Sequence, residues 1–438
     1  MPPVNLLIAC LLAVSPFLFA PPQAVADSLT DQEIQQFRTL FKERMIKPSL
    51  PGVPTAEDIP KLRGLSESFR GMQFGGYISN YYQYESSNPR AGDSTALSPK
   101  AFTTQVNSFT VQNIELWLYK EAPDPGDIGF RITLNWGDIA RRITFTRPVY
   151  DDGLVAQPMG TAPVPGRTGG RQVTFSEGYA MWNIPVGKGL TVRFGKFSSW
   201  MGYEDWESIW NPNFTESYIN TDGTPNTATG LGFNYPVTDR FTANYYFTNA
   251  FDTFVNNNKS FTHGLELNYN LPDLAFFKNG LITLNTLWGP SQPLNDSRWY
   301  QIYDLIIQFS PLDKLTLVTE GDWNLDPTRI AQPSGRLKKD NNGWGVAQYV
   351  IYDYTERLGF AVRGEYFWDQ DNLCELSGAG GASLVEVTGT LNLKLRERLM
   401  IRPEIRYDKI VNFPNGSSHV WNHRNNNITA IIGVSYEF

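Results

Sequence analysis

Cysteine is scarce in this chain. Of 438 residues only Cys10 and Cys374 carry a thiol. Cys10 lies in an apolar leader, so the exported chain keeps Cys374 alone and can close no internal disulfide. A disulfide-stapled scaffold is excluded. Long apolar runs are missing after the first few dozen residues, whereas a membrane-spanning helix needs roughly 18 or more in succession. Basic clusters are missing too, and the formal charge is −7, which removes the electrostatic footprint of a nucleic-acid binder. Histidine occurs three times, at 263, 419 and 423. His419 and His423 stand four apart in an Asn-rich loop rather than on a helix, which favours a solvated loop over a metal site. Asp371 to Glu375 is too short and too poor in oxygen ligands for a calcium loop. No H-E-x-x-H, G-x-S-x-G, P-loop or dinucleotide fingerprint is present. No enzyme, cofactor or metal is expected.

Aromatic residues, by contrast, make up 14% of the chain, and its mean hydropathy is −0.32. Both suit a barrel with a polar inner face and Tyr, Trp and Phe girdles at the membrane interfaces. Val4 to Ala20 form an apolar core followed by Ala24-Val25-Ala26, so residues 1–26 are expected to be a secretory signal peptide. Residues 27–71 form a separate segment. Thr30-Asp31-Gln32-Glu33 is a capping box. Ile34, Phe37, Leu40, Phe41 and Met45 follow at helical spacing, which predicts a short amphipathic helix over 31–46. Pro48, Pro51, Pro54 and Pro60 then break regular structure. The segment is expected to be periplasmic, packed on the barrel or loosely held, with a plug or an oligomer contact as the alternatives.

From Met72 to Phe438 the pattern has period two. In the last segment Ile428, Ala430, Ile432, Val434, Tyr436 and Phe438 share one face of a strand, and Thr429, Ser435 and Glu437 lie on the other. The terminal Phe438 is the aromatic ending that barrel assembly machinery reads as an added strand. Ile128, Phe130, Ile132, Leu134 and Trp136 alternate with Gly129, Arg131, Thr133 and Asn135. Strands are predicted at 72–84, 109–120, 128–137, 172–184, 190–197, 228–235, 241–249, 262–270, 280–288, 299–309, 315–323, 343–352, 358–368, 384–394, 399–408 and 427–438. That is an all-β, closed antiparallel transmembrane β-barrel of about 16 strands over residues 72–438. Short turns such as Pro185 to Gly189 and Pro236 to Arg240 alternate with long connections at 85–108, 138–171, 198–227, 250–261, 289–298, 324–342, 369–383 and 409–426. Short periplasmic turns opposite long external loops are an outer-membrane pattern. The outward rows of the strands that run toward the long loops end on Tyr84, Trp136, Phe247, Trp288, Trp323, Trp368 and Tyr407. Only 190–197 misses, because Phe194 is in phase and Phe197 is not.

Charge points to the pore. No Lys or Arg lies between Lys196 and Arg240, while Glu204, Asp205, Glu207, Glu216 and Asp222 do. This third long loop is expected to fold inward, with Glu204, Asp205 and Glu207 at a constriction. Arg131, Arg193 and Lys196 form an expected basic lumen wall, opposite an acidic wall of Glu320 and Asp322. Local pairing along and between strands competes with that cross-lumen field.

Gly195-Lys196-Phe197, Gly202-Tyr203-Glu204, Phe247-Thr248-Asn249-Ala250-Phe251-Asp252 and Val362-Arg363-Gly364-Glu365-Tyr366-Phe367-Trp368-Asp369 resemble motifs of the OmpL-like β-barrel porin family. The resemblance covers roughly 75–438 and departs at Ala250 and Phe251, one of which is usually Gly. It implies a diffusion channel for small polar solutes with no cofactor, in the outer membrane of a Gram-negative bacterium. The expected function is passive diffusion with a weak cation preference. The alternatives are a sugar- or organic-acid-selective channel, with Trp200, Trp206 and Trp210 as a stacking slide, and a non-channel barrel acting as adhesin or anchor. Expected partners are outer-membrane lipid, small polar solutes, the barrel assembly machinery and further copies of the chain in a homo-oligomer, with no nucleic acid.

Overall fold

The computed structural model describes residues 71–438 apart from 88–101, 104, 146–172, 251, 257, 275–276, 293–294, 327–329, 332–336, 339, 370, 372–381, 397 and 413–423. The expected signal peptide, the helix over 31–46, Cys374, His419 and His423 lie outside the described residues.

The chain folds into β1 (Met72–Glu85), β2 (Ser108–Lys120), β3 (Ile128–Trp136), β4 (Val173–Ile184), β5 (Leu190–Ser198), β6 (Thr227–Pro236), β7 (Phe241–Thr248), β8 (Thr262–Asn270) and β9 (Lys278–Gln292). It continues through β10 (Asn295–Leu312), β11 (Leu315–Asp326), β12 (Ile330–Ala331), β13 (Leu337–Lys338), β14 (Asn341–Thr355), β15 (Leu358–Asp369), β16 (Ala382–Arg396), β17 (Leu399–Asn412) and β18 (Asn426–Glu437). β12 and β13 pair only with each other. The other sixteen strands form one closed barrel in which β1 pairs with β18 and every neighbour is antiparallel to the next. All sixteen predicted strands are present.

Closure is made at the two ends of the barrel sequence. β1 and β18 pair from Tyr77↔Glu437 to Glu85↔Thr429. The Phe438 N–H then donates to the Gly76 carbonyl at 2.9 Å, and the Gly76 N–H to the Phe438 carbonyl at 3.2 Å. The last residue therefore extends the ladder rather than trailing from it.

Alternation sorts the side chains as their chemistry requires. In β17 Arg402, Glu404, Arg406 and Asp408 are buried on the inner face, while Ile405 is 64% exposed on the outer. In β18 Thr429, Ile431 and Ser435 point inward, and Ile428, Ile432 and Tyr436 outward. Tyr84 and Trp136 are exposed outward at the ends of their strands, and Tyr407 is exposed outward within β17, which continues to Asn412. Phe197 is fully buried and packs on Tyr179 and Tyr246 inside the barrel, so the outward row of β5 has its aromatic at Phe194 instead.

Two connections differ from the expectation. Residues 289–298 are not a long loop. β9 and β10 continue to Gln292 and from Asn295, with Asn295↔Gln292 and Trp299↔Pro290 paired across a register shift. The shift accommodates Pro290, which has no N–H to give the ladder. Residues 138–171 open on a helix, α1 (Asp138–Phe145), which starts on an acidic residue and buries Ile139, Ala140 and Ile143. Among the described residues no helix is long and apolar enough to cross a membrane, which says nothing of crossing strands.

Candidate functional site

The connection from β5 to β6, residues 199–226, lies inside the barrel. It buries Trp200, Met201, Trp206, Phe214, Tyr218 and Ile219. Each such side chain withdrawn from water is worth about 1.5–3 kcal/mol, which favours folding inward over a solvated excursion. The wall has been cut to receive them. A Cβ on Gly264 would collide with Trp200, one on Gly433 with Phe214, and one on Gly345 with Ile219 at 2.6 Å. Three inner-wall glycines are therefore seats for three large loop side chains.

Burying a loop also buries its backbone polar groups, which need partners. The wall supplies them with acidic and basic side chains. Glu404 accepts from the N–H groups of Phe214 (2.6 Å) and Thr215 (3.0 Å), and Glu365 from those of Tyr218 (2.7 Å) and Ile219 (2.8 Å). Asp304 accepts from Gly202 N–H at 3.0 Å, and Glu320 from Tyr203 N–H at 2.6 Å. In the opposite sense, Arg402 donates to the Ser208 and Asn211 carbonyls at 2.5 and 2.7 Å. Arg406 donates to the Glu216 carbonyl and Arg363 to that of Thr215, both at 2.6 Å. Charge-assisted hydrogen bonds of this kind are roughly twice as strong as neutral ones. A loop without a basic residue is thus held by the arginines of β15 and β17.

The residues singled out from sequence fall as follows. Glu204 is buried and ion-paired with Arg363 at 2.6 Å, and its other oxygen accepts from the Ser217 N–H. Glu207 is buried and accepts from the Trp210 indole at 2.7 Å. Asp205 is half-buried, the most accessible of the three. Glu320 and Asp322 are buried on the inner face of β11. Glu320 holds the loop, and Asp322 lies under Gly223, where an added Cβ would approach it to 2.8 Å. Arg131 is buried and bonded through Nε to Glu177 on the neighbouring strand at 2.5 Å. Arg193 faces inward and makes no ion pair among the described residues; its guanidinium lies over Phe197 (4.9 Å), Tyr179 (5.7 Å) and Tyr246 (6.0 Å). Lys196 is not on the lumen wall. It shares parity with Phe194 and pairs with outward-facing Gly178, and its ammonium sits 4.0 Å over Phe254 of the 250–261 connection.

The three tryptophans do not make a slide. Trp200 stacks on Tyr246 at 3.9 Å, Trp206 packs with Phe102, Ile139 and Ile143, and only Trp210 is exposed. On the wall of β2 to β7 the expected Arg131 and Arg193 are interleaved with three tyrosines that the sequence reading did not single out, Tyr119, Tyr179 and Tyr246. Tyr119 is opposite Arg131, and Arg131 opposite Tyr179. Strand parity contained that signal, since Leu116 and Leu118 outward imply Trp117 and Tyr119 inward.

Glu216, on the loop, is buried with Oε1 unpartnered. Burial first, and the neighbouring Glu204 carboxylate second, hold its carboxyl well above the usual carboxylate range. Among the described residues no group of His, Cys, Asp or Glu is arranged to hold a metal ion.

The family model “Putative beta-barrel porin-2, OmpL-like” matches residues 71–438, the whole barrel. The chain belongs to the OmpL-like β-barrel porin family. Solved structures similar to this porin include the outer-membrane channel DcaP of Acinetobacter baumannii, at 11% identity and a TM-score of 0.53 over 84% of this chain and 97% of that one. An anion-selective porin from Comamonas acidovorans gives 9% and 0.51 over 84% and 99%. OprB of Pseudomonas putida gives 12% and 0.50 over 86% and 96%. At these identities the likeness is one of fold. No curated protein matches the chain. The porin is an outer-membrane barrel of a Gram-negative bacterium, and its 199–226 connection is bonded to the inner wall.

Proposed function

We propose that this porin passes small hydrophilic solutes by passive diffusion, with a weak preference for cations. The observation that carries the reading is the loop 199–226, fixed inside the barrel to β9–β11 and β14–β17, with Trp200 reaching Tyr246 on β7 and Ser208 reaching Gln112 on β2. In this reading it narrows the lumen. Family and fold favour a channel over an enzyme. The cation preference rests on a surplus of acid. Among the described residues, buried acidic side chains such as Glu115, Glu266 and Asp304 outnumber the buried bases of the inner wall, and charge in a narrow pore biases permeation.

Glu204, Asp205 and Glu207 stay at the constriction in this reading, but with different parts. Arg363 already balances Glu204, so the half-buried Asp205 and Asp222 give the loop its outward charge. The test is the zero-current potential in a salt gradient across planar bilayers. The wild type should favour cations, less so as salt rises, because exposed charges are screened over about 8 Å at physiological salt. Asp205→Asn with Asp222→Asn should move the potential toward the anion side. An anion-selective wild type would overturn the preference, and a barrel that conducts nothing would overturn the channel in favour of an anchor.

A further inference from the structure

Among the described residues, the wall of β2 to β4 has hydrogen-bonding capacity without a partner. Arg131 Nη2, the Tyr119 hydroxyl and the Tyr179 hydroxyl are buried and unmatched there. The three side chains stand opposite one another on β2, β3 and β4 and are 1%, 0% and 4% exposed. Glu177 engages Arg131 through Nε and so fixes the guanidinium plane while leaving Nη2 unmatched. Arg193 adds a cation without an ion pair among the described residues, 5.7 Å from the Tyr179 ring. On the other wall Arg363 and Arg406 are each salt-bridged.

We propose that Tyr119, Arg131, Tyr179 and Arg193 form a binding station for the oxyanion of a small permeating solute. A guanidinium nitrogen can only donate, and a phenol can donate. Three unmatched donors beside the Arg193 guanidinium complement an acceptor-rich anion, whose planar oxygens suit a guanidinium edge. Trp117 and Met181 are buried beside the row, so its surroundings are apolar. The station rests on the reading of the lumen as a solute passage and names one class of solute it would retain. Weak cation preference for simple salts is a property of the whole lumen; the station is local.

The test uses the full-length porin purified in detergent. Benzoate, inorganic phosphate and glucose are titrated by calorimetry, and potassium chloride conductance is measured alongside. Benzoate should bind and glucose should not. Arg193→Gln and the double variant Tyr119→Phe/Tyr179→Phe should each weaken binding by roughly tenfold, the scale of one charge-assisted hydrogen bond. The double variant removes only two hydroxyls, so it carries the test if Arg193→Gln fails to give a heat-modifiable folded band. Phosphate binding without benzoate, lost in the same variants, keeps the oxyanion station and assigns it to inorganic anions. Binding of neither anion, or binding unchanged in the variants, overturns it. Conductance without binding sinks the station alone, whereas binding without conductance sinks the passage and leaves the station standing.

Discussion

Glu204 and Arg363 are 159 residues apart in sequence and 2.6 Å apart in the lumen, both side chains fully withdrawn from solvent. Arg363 also holds Glu386 at 2.9 Å and the Thr215 carbonyl at 2.6 Å. One guanidinium thus ties two points of the loop to the wall of β15 and β16.

Removing one partner of a buried pair typically costs about 3–5 kcal/mol, because the other charge is left uncompensated. Arg363→Met should therefore release the loop without opening the barrel. Single-channel conductance is expected to rise and become noisy, while the heat-modifiable band is kept. Unchanged conductance would show that this pair does not hold the constriction.

The glycine seats predict the same outcome by a steric route. Gly433→Leu should expel Phe214 from its place on β18. Phe214→Ala should leave a cavity costing about 3–5 kcal/mol locally, since large apolar side chains deleted from packed sites lose both transfer and packing terms. Both variants should widen the channel. Gly321→Ala, where an added Cβ meets nothing within 4 Å, should conduct like the wild type.

Glu216 predicts a dependence on pH. Its carboxyl is held above the ordinary range in the latched loop, so the latched state binds a proton that a released, solvated loop would give up. The latch is at full strength below the ordinary carboxylate range and weakens as pH rises through the raised value. Conductance should increase with pH across that window, and Glu216→Gln should flatten the response. A wild-type conductance independent of pH would rule the residue out.

How much of this was legible in the sequence depends on the range of the physics involved. Strand phase is local, and a one-residue slip would turn Arg131 or Arg402 toward lipid, so all sixteen strands could be read from alternation. The inward loop was legible from its tryptophans and its lack of bases. The partners of its carboxylates were not, because Glu204–Arg363 and Phe214–Gly433 join positions whose proximity only the closed barrel creates. Lys196 leaves the expected lumen wall for a simpler reason. It has the parity of outward-facing Phe194.

Phe438 predicts an assembly defect. Its backbone exchanges two hydrogen bonds with Gly76 at the seam, so Phe438→Ala should keep the ladder but lose the terminal aromatic. Reduced surface level and a weaker heat-modifiable band are expected. Undiminished insertion would leave the residue with a role in closure alone.

The central claim, that loop 199–226 is the constriction, is tested most directly by single-channel conductance after deletion of residues 203–222, read in planar bilayers beside the wild type. The latched-loop account predicts a small, steady wild-type conductance and a several-fold larger one in the deletion, on the scale expected when a porin lumen of about 16 strands is cleared. Equal conductance in the two proteins would contradict it.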